Sequence, residues 1–284
     1  MTPNPPLPDE PIGACFIDGG DFRPMSELAA RYAELDGFVY EVVRIISGVP
    51  LFLEDHAARL SRSARLSGRH TGVPIEHLSD FILELIERTG STAGNVKISL
   101  GGGSSEQLCL VSFIKSRYPD DAMYRSGVSV GIFPGERRDP TVKRHNPELR
   151  RRLTAELTKS GHYDLLLESG ARFLTEGSKT NIFFVHDDAL LTPRSEDVLP
   201  GITRLKVVEI ARRLDIPLTE ARVHRHELPG FDAVFLTGTS AKILPVSSID
   251  GRPFRVDHPL VRRLMAAYDR LIDEYVQTTR AATA

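Results

Sequence analysis

Cysteine is nearly absent from this chain of 284 residues, which holds only Cys15 and Cys109. Two thiols close one bridge at most, and nothing around them argues for an oxidising compartment, so free thiols and a cytoplasmic location are expected. An excess of either charge is also missing: 36 basic residues face 38 acidic ones, a net charge of −2. That balance removes the electrostatic case for nucleic acid or an anionic membrane as partner. No apolar run reaches the length of a membrane span. Residues 1–11 carry five prolines but neither a basic nor an apolar leader region. They read as a flexible extension and not as a signal peptide. No metal-ligand spacing and no internal repeat is visible.

What is present is an ordinary globular composition, 41% hydrophobic, long enough for one large domain or two modest ones. Residues 37–46 are rich in β-branched and aromatic types, broken at 47–50 and resumed at 51–53, a pattern that predicts a hairpin. Helical periodicity follows at 55–66 and 78–87, then strands at 96–100 and 108–113 around a Gly/Ser-rich loop. Charged and turn-forming residues at 117–122 suggest a linker. Domain boundaries at 12–116 and 123–284 follow from it. The second half alternates again: strands at 128–133, 163–167, 173–175, 182–185, 189–192 and 233–237, with helices at 149–160, 204–214 and 258–276. Mixed strands and helices in two halves predict a two-domain α/β (α+β) architecture.

Four segments carry chemistry. Lys143 is followed 33 residues later (176 − 143) by Glu176. Pro200-Gly201-Ile202-Thr203 opens a helix, and Thr237-Gly238-Thr239-Ser240 ends a strand. A lysine amine suits an aldehyde, a carboxylate suits a protonated pyridine nitrogen, and amide-rich turns suit a phosphate. Together these are the parts that hold pyridoxal 5'-phosphate. Thr203 also reads as a helix N-cap. Arg59, in a helix, offers a charge-assisted phosphate contact. Tyr32 and Tyr40 are candidates for a substrate pocket, although aromatics on such elements are as often core.

These residues carry a resemblance. DGFVYEVV at 36–43, HAARLSRSA at 56–64, EGSKTNIF from Glu176, LPGITR from Leu199 and FLTGTSAKILPV from Phe235 are similar to the class IV aminotransferases, the fold type IV pyridoxal-phosphate enzymes. The family includes branched-chain and D-amino acid aminotransferases and aminodeoxychorismate lyases. The resemblance implies that Lys143 is the Schiff-base lysine and Glu176 the ring-nitrogen partner. It further implies that Arg59, Ile202, Thr203 and Thr239 hold the phosphate. Asn146 matches the spacing of the D-amino acid and lyase branches. The loop at 101–106 lacks the arginine and histidine with which the D-amino acid branch grips a substrate carboxylate, and Lys97 falls where other branches place an arginine. Lys97 and Ser240 therefore join Tyr32 and Tyr40 as substrate candidates. The implied activity is transfer of an amino group between an amino acid and a 2-oxo acid, in a homodimer. A lyase-type elimination and a non-catalytic binding protein of the same fold are the alternatives.

Overall fold

The computed structural model describes residues 9–35, 37–68, 75–102 and 108–283. Contacts divide them into two units. The first contains the described residues of Met1–Arg117, Val142–Pro147 and Glu274–Ala284, and the second contains Tyr118–Thr141 and Glu148–Asp273.

The first unit is built on a six-stranded sheet. Its elements are β1 (Cys15–Asp18), β2 (Asp21–Pro24), α1 (Leu28–Ala33), β3 (Val39–Ile46), β4 (Val49–Pro50), α2 (Leu53–Leu66), α3 (Ile75–Thr89), β5 (Gly94–Gly101) and β6 (Leu108–Ile114). The strand order is β2-β1-β6-β5-β3-β4, and the pairs are antiparallel. Alternation along β3 buries Val39, Val43 and Ile45 on one face, where Leu60, Ala64, Leu78, Ile82 and Leu85 of α2 and α3 join them in one core. The other face is unusual: Asn95, Lys97 and Ser99 of β5 and Ser112 of β6 are polar and buried. A polar stripe on a strand ordinarily meets water. Here it is enclosed.

The second unit carries a ten-stranded sheet and helices. Its elements are α4 (Asp121–Ser126), β7 (Val128–Pro134), α5 (Pro147–Ser160), β8 (Asp164–Glu168), β9 (Phe173–Gly177), β10 (Asn181–His186), β11 (Ala189–Thr192), α6 (Ile202–Arg213), β12 (Leu218–Glu220), β13 (Val223–His224), β14 (Ala233–Gly238), β15 (Lys242–Ile249), β16 (Arg252–Pro253) and α7 (Pro259–Thr283). The main strand order is β12-β11-β10-β14-β15-β7-β8-β9-β13, with β16 beside β15. The apolar strands β10 and β14 run through its middle, and Phe183 stacks on Phe235 at 5.0 Å.

Several expectations change. Residues 51–53 are not a strand: Phe52 takes a left-handed φ of 51° and α2 starts at Leu53, so the return strand of the hairpin is only Val49–Pro50. The expected linker holds the start of α4, where Asp120 accepts from the Met123 amide at 2.8 Å as N-cap. The contacts also depart from a contiguous division at 117–122. Tyr40 N donates to the Lys143 carbonyl at 3.0 Å and His145 N to the Phe38 carbonyl at 2.9 Å, which ties Val142–Pro147 to the first unit. The Tyr275 hydroxyl, donating to Glu54 at 2.8 Å, does the same for the end of α7. Of the proline-rich extension, residues 1–8 lie outside the described residues. Asp9 to Ile12 do not run free: Lys115 N donates to the Glu10 carbonyl at 2.7 Å and Ile12 N to the Phe113 carbonyl at 3.0 Å. The Gly/Ser-rich loop lies outside the described residues at 103–107. No helix among the described residues is long and apolar enough to cross a membrane.

Candidate active site

In the first unit the site begins with α2. Its inward face repeats every three to four residues as Leu53, His56, Arg59, Leu60, Ser63 and Ala64, all buried. Three of those six side chains are polar, and each has a partner. Glu41, in phase with the buried apolar residues of β3, accepts from Arg59 Nε at 2.7 Å and Arg59 Nη2 at 2.6 Å. His56 Nδ1 lies 2.8 Å from the same carboxylate. The Ser63 hydroxyl accepts from the Lys143 amide at 3.2 Å. Burial pushes the Glu41 carboxyl upward, but the Arg59 charge and the hydrogen bonds from Arg59 and His56 outweigh it and hold the group well below the usual carboxylate range. Burial pushes His56 below 6.5 despite Glu41 beside it, so the imidazole is neutral near pH 7.

Lys143 is half-buried, and its backbone is fixed on both sides by Tyr40 and Ser63. Its Nζ lies 4.8 Å from the Tyr40 ring centroid. The Lys97 Nζ lies 5.0 Å from that same centroid, 5.5 Å from Phe38 and 5.6 Å from Tyr32. The Tyr32 hydroxyl is 2.8 Å from the Ser99 hydroxyl. The structure thus gathers Lys143, Lys97, Tyr32 and Tyr40, four candidates from the sequence, around one group of rings.

In the second unit Glu176 is the last residue but one of β9 and is 3% exposed. One carboxylate oxygen meets Arg137 Nε at 3.2 Å, and the other accepts from the Leu199 amide at 3.3 Å. The turn after it is pinned by the fully buried Asp164, which accepts from Ser178 N at 3.0 Å and the Thr180 hydroxyl at 2.7 Å. A Cβ on Gly177 would collide with Thr180 Oγ1 and Asp164, so only glycine fits there.

Leu199 leads into α6, whose N-cap is Gly201 and not Thr203. A Cβ on Gly201 would collide with Asn181 Oδ1, while Asn181 Nδ2 donates to the Leu199 carbonyl at 2.9 Å. Among the described residues no side chain caps this end, and amides at a helix N-terminus suit an anion. Thr203 is the second helical residue; its hydroxyl is 3.3 Å from the Tyr268 hydroxyl. Asn181 pairs directly with Thr237 across β10 and β14, so the Thr237 side chain shares that face. Thr237 Oγ1 is buried with no hydrogen-bond partner among the described residues. A buried orphan hydroxyl beside an uncapped helix start is a fit for a phosphate oxygen. Thr239 and Ser240 are half-buried in the turn after β14.

The sequence pointed to Arg59 and to the turn that starts at Thr237, but not to the Arg59 clamp, Glu41, nor to His56, Arg137, Asp164 or Tyr268. Glu41 had a signal, since an acid in phase with three buried strand residues needs a partner. Arg137 had none, sitting in a charged loop.

The model of the family described as "Amino-transferase class IV" matches residues 38–249. The chain belongs to the class IV aminotransferases. A probable branched-chain-amino-acid aminotransferase of Thermotoga maritima is 30% identical over 253 residues, covering 84% of this chain and 89% of that protein. A branched-chain-amino-acid aminotransferase-like protein 2 of Arabidopsis thaliana is 28% identical over 253 residues; these are 83% of this chain but 45% of that longer protein. The crystal structure of a branched-chain aminotransferase from Thermoproteus uzoniensis superposes with a TM-score of 0.80 at 25% identity, covering 91% of this chain and 94% of that one. The chain is an aminotransferase of fold type IV, and class IV aminotransferases use pyridoxal phosphate.

Proposed function

We propose that this aminotransferase binds pyridoxal 5'-phosphate and transfers amino groups between an amino acid and a 2-oxo acid with Lys143 as its catalytic amine. One observation supports it most: the Glu176 carboxylate, the Leu199–Gly201 loop, the α6 N-terminus and the orphan Thr237 hydroxyl form one connected set. Bound pyridoxal phosphate supplies an aldehyde for the amino group and a cationic ring that draws electrons from the substrate Cα.

The residues divide the work. Glu176 would hold the proton on the ring nitrogen, and Arg137 Nε lies 3.2 Å from its carboxylate. Amides of Ile202 and Thr203, the hydroxyls of Thr203, Thr237 and Thr239, and Arg59 bind the phosphate. Glu41 fixes the plane of the Arg59 guanidinium. Lys143 Nζ would take a proton from the substrate Cα as general base and give it back as general acid. Tyr32, Tyr40, Lys97 and Ser240 face the substrate. A homodimer and a cytoplasmic location accompany this reading, supported by the prevalence of two-fold assemblies and by the free thiols of Cys15 and Cys109.

A panel of D- and L-amino acids, each assayed with and without 2-oxoglutarate or pyruvate, tests the proposal. Turnover that requires the oxo acid and shows ping-pong kinetics is expected. Pyruvate release from aminodeoxychorismate without any acceptor would instead make the protein a lyase.

A further inference from the structure

We infer that Asp9 is an internal occupant of a substrate-carboxylate subsite built on Lys97, and that the carboxylate of an incoming substrate binds by displacing it. This rests on the aminotransferase reading above. Lys97 is 1% exposed, and its Nζ meets Asp9 Oδ2 at 2.6 Å. The ammonium sits among the rings of Tyr32, Phe38 and Tyr40, and it shares the Tyr40 ring with Lys143. A carboxylate on Lys97 is therefore close to the proposed catalytic amine.

The two ends of the ion pair differ. The Asp9 side chain is 21% exposed against 1% for Lys97. Asp9 can return to water, whereas an ammonium enclosed by rings cannot, and it needs an anion beside it. Exchanging one carboxylate for another keeps Lys97 paired at every stage. A neutral group entering the same place would replace an anion beside the enclosed ammonium, so the subsite favours anions. Asp9 is also held close. Glu10 and Ile12 are bonded to Lys115 and Phe113, and Pro11 bridges to Ile114. These anchors keep the competing carboxylate at high effective concentration.

The test titrates glutarate, a dicarboxylate with no amino or oxo group, into the holoenzyme by calorimetry. If Asp9 fills the subsite about nine-tenths of the time, Asp9→Asn tightens glutarate binding about tenfold. Lys97→Met should abolish that gain, Lys97→Arg should preserve it, and Glu10→Gln, which removes only the exposed pair with Lys115, should leave the affinity unchanged. Uncharged glutaramide should bind no better to Asp9→Asn than to the parent. Unchanged glutarate affinity in Asp9→Asn overturns the inference, as does a gain that survives in Asp9→Asn/Lys97→Met. Asp9→Asn decides alone if Lys97→Met does not fold. Glutarate binding requires no turnover. An inactive protein that passes this test would refute the catalytic reading and leave the subsite standing.

Discussion

Arg59 and Glu41 meet in a two-point contact, Nε to Oε1 at 2.7 Å and Nη2 to Oε2 at 2.6 Å, with both residues buried. The geometry fixes the guanidinium plane, as a single contact would not. It also makes Glu41 costly to lose. Glu41→Ala strands a buried cation and should destabilise the protein by about 3–5 kcal/mol. Urea unfolding checks this, and a loss under about 1 kcal/mol would show the pair to be dispensable.

His56 sets a pH dependence of stability. Its folded pKa lies below 6.5, so the unfolded chain binds more protons between the two values and stability rises with pH there. The contribution is complete above 6.5 and is lost as the pH falls toward the folded value. Glu41, also depressed, adds a loss of the same sign at lower pH. The urea midpoint should drop between pH 7 and pH 5, and His56→Gln should flatten that drop. An unchanged slope in His56→Gln would assign the acid sensitivity elsewhere.

Thr237 gives a prediction of opposite signs. Its buried hydroxyl has no hydrogen-bond partner among the described residues, so Thr237→Val removes an unsatisfied group and should stabilise the cofactor-free protein by about 1 kcal/mol. The same change should weaken pyridoxal phosphate binding, because a phosphate oxygen loses a donor. Thermal melts with and without cofactor read both effects. Equal shifts in the two melts would separate Thr237 from the phosphate.

Glu176 and Arg137 are expected to act in series. Glu176→Ala should leave the cofactor bound and slow turnover on the order of 10²-fold, as electrostatic stabilisation is lost from the substrate Cα. Arg137→Met should act in the same direction but less strongly, and it should add little once Glu176 is gone. Single-turnover kinetics of the two variants and the double variant measure this. Full additivity would mean that the residues work independently.

The sequence displayed the long, strongly patterned elements. β3, β6, β10 and β14 are rich in β-branched and aromatic residues, and α2, α3 and α7 hold helical periodicity over three turns or more. β1, β2, α1 and α4 hold too few apolar residues to show a repeat. Phe52 shows a different failure: an apolar run reads as strand, and the left-handed backbone that ends it leaves no mark in the sequence. The candidate site was proposed from residue types at recognisable places: Lys143, Glu176, Thr203. Its pairings were not. Glu41 with Arg59 spans 18 residues and Asp9 with Lys97 spans 88, and only folding brings such partners together. The enclosed face of β5 was hidden for the same reason, because Asn95, Lys97 and Ser99 alternate like any half-solvated strand.

The most direct test is the identity of the lysine that carries the cofactor. Purified protein incubated with pyridoxal phosphate, reduced with borohydride, digested and mapped by mass spectrometry should yield one phosphopyridoxyl-modified peptide, centred on Lys143, and Lys143→Ala should abolish turnover. Lys97 is the informative rival, since its amine lies on the same Tyr40 ring. Modification of Lys97 or any other lysine with Lys143 untouched would contradict the account.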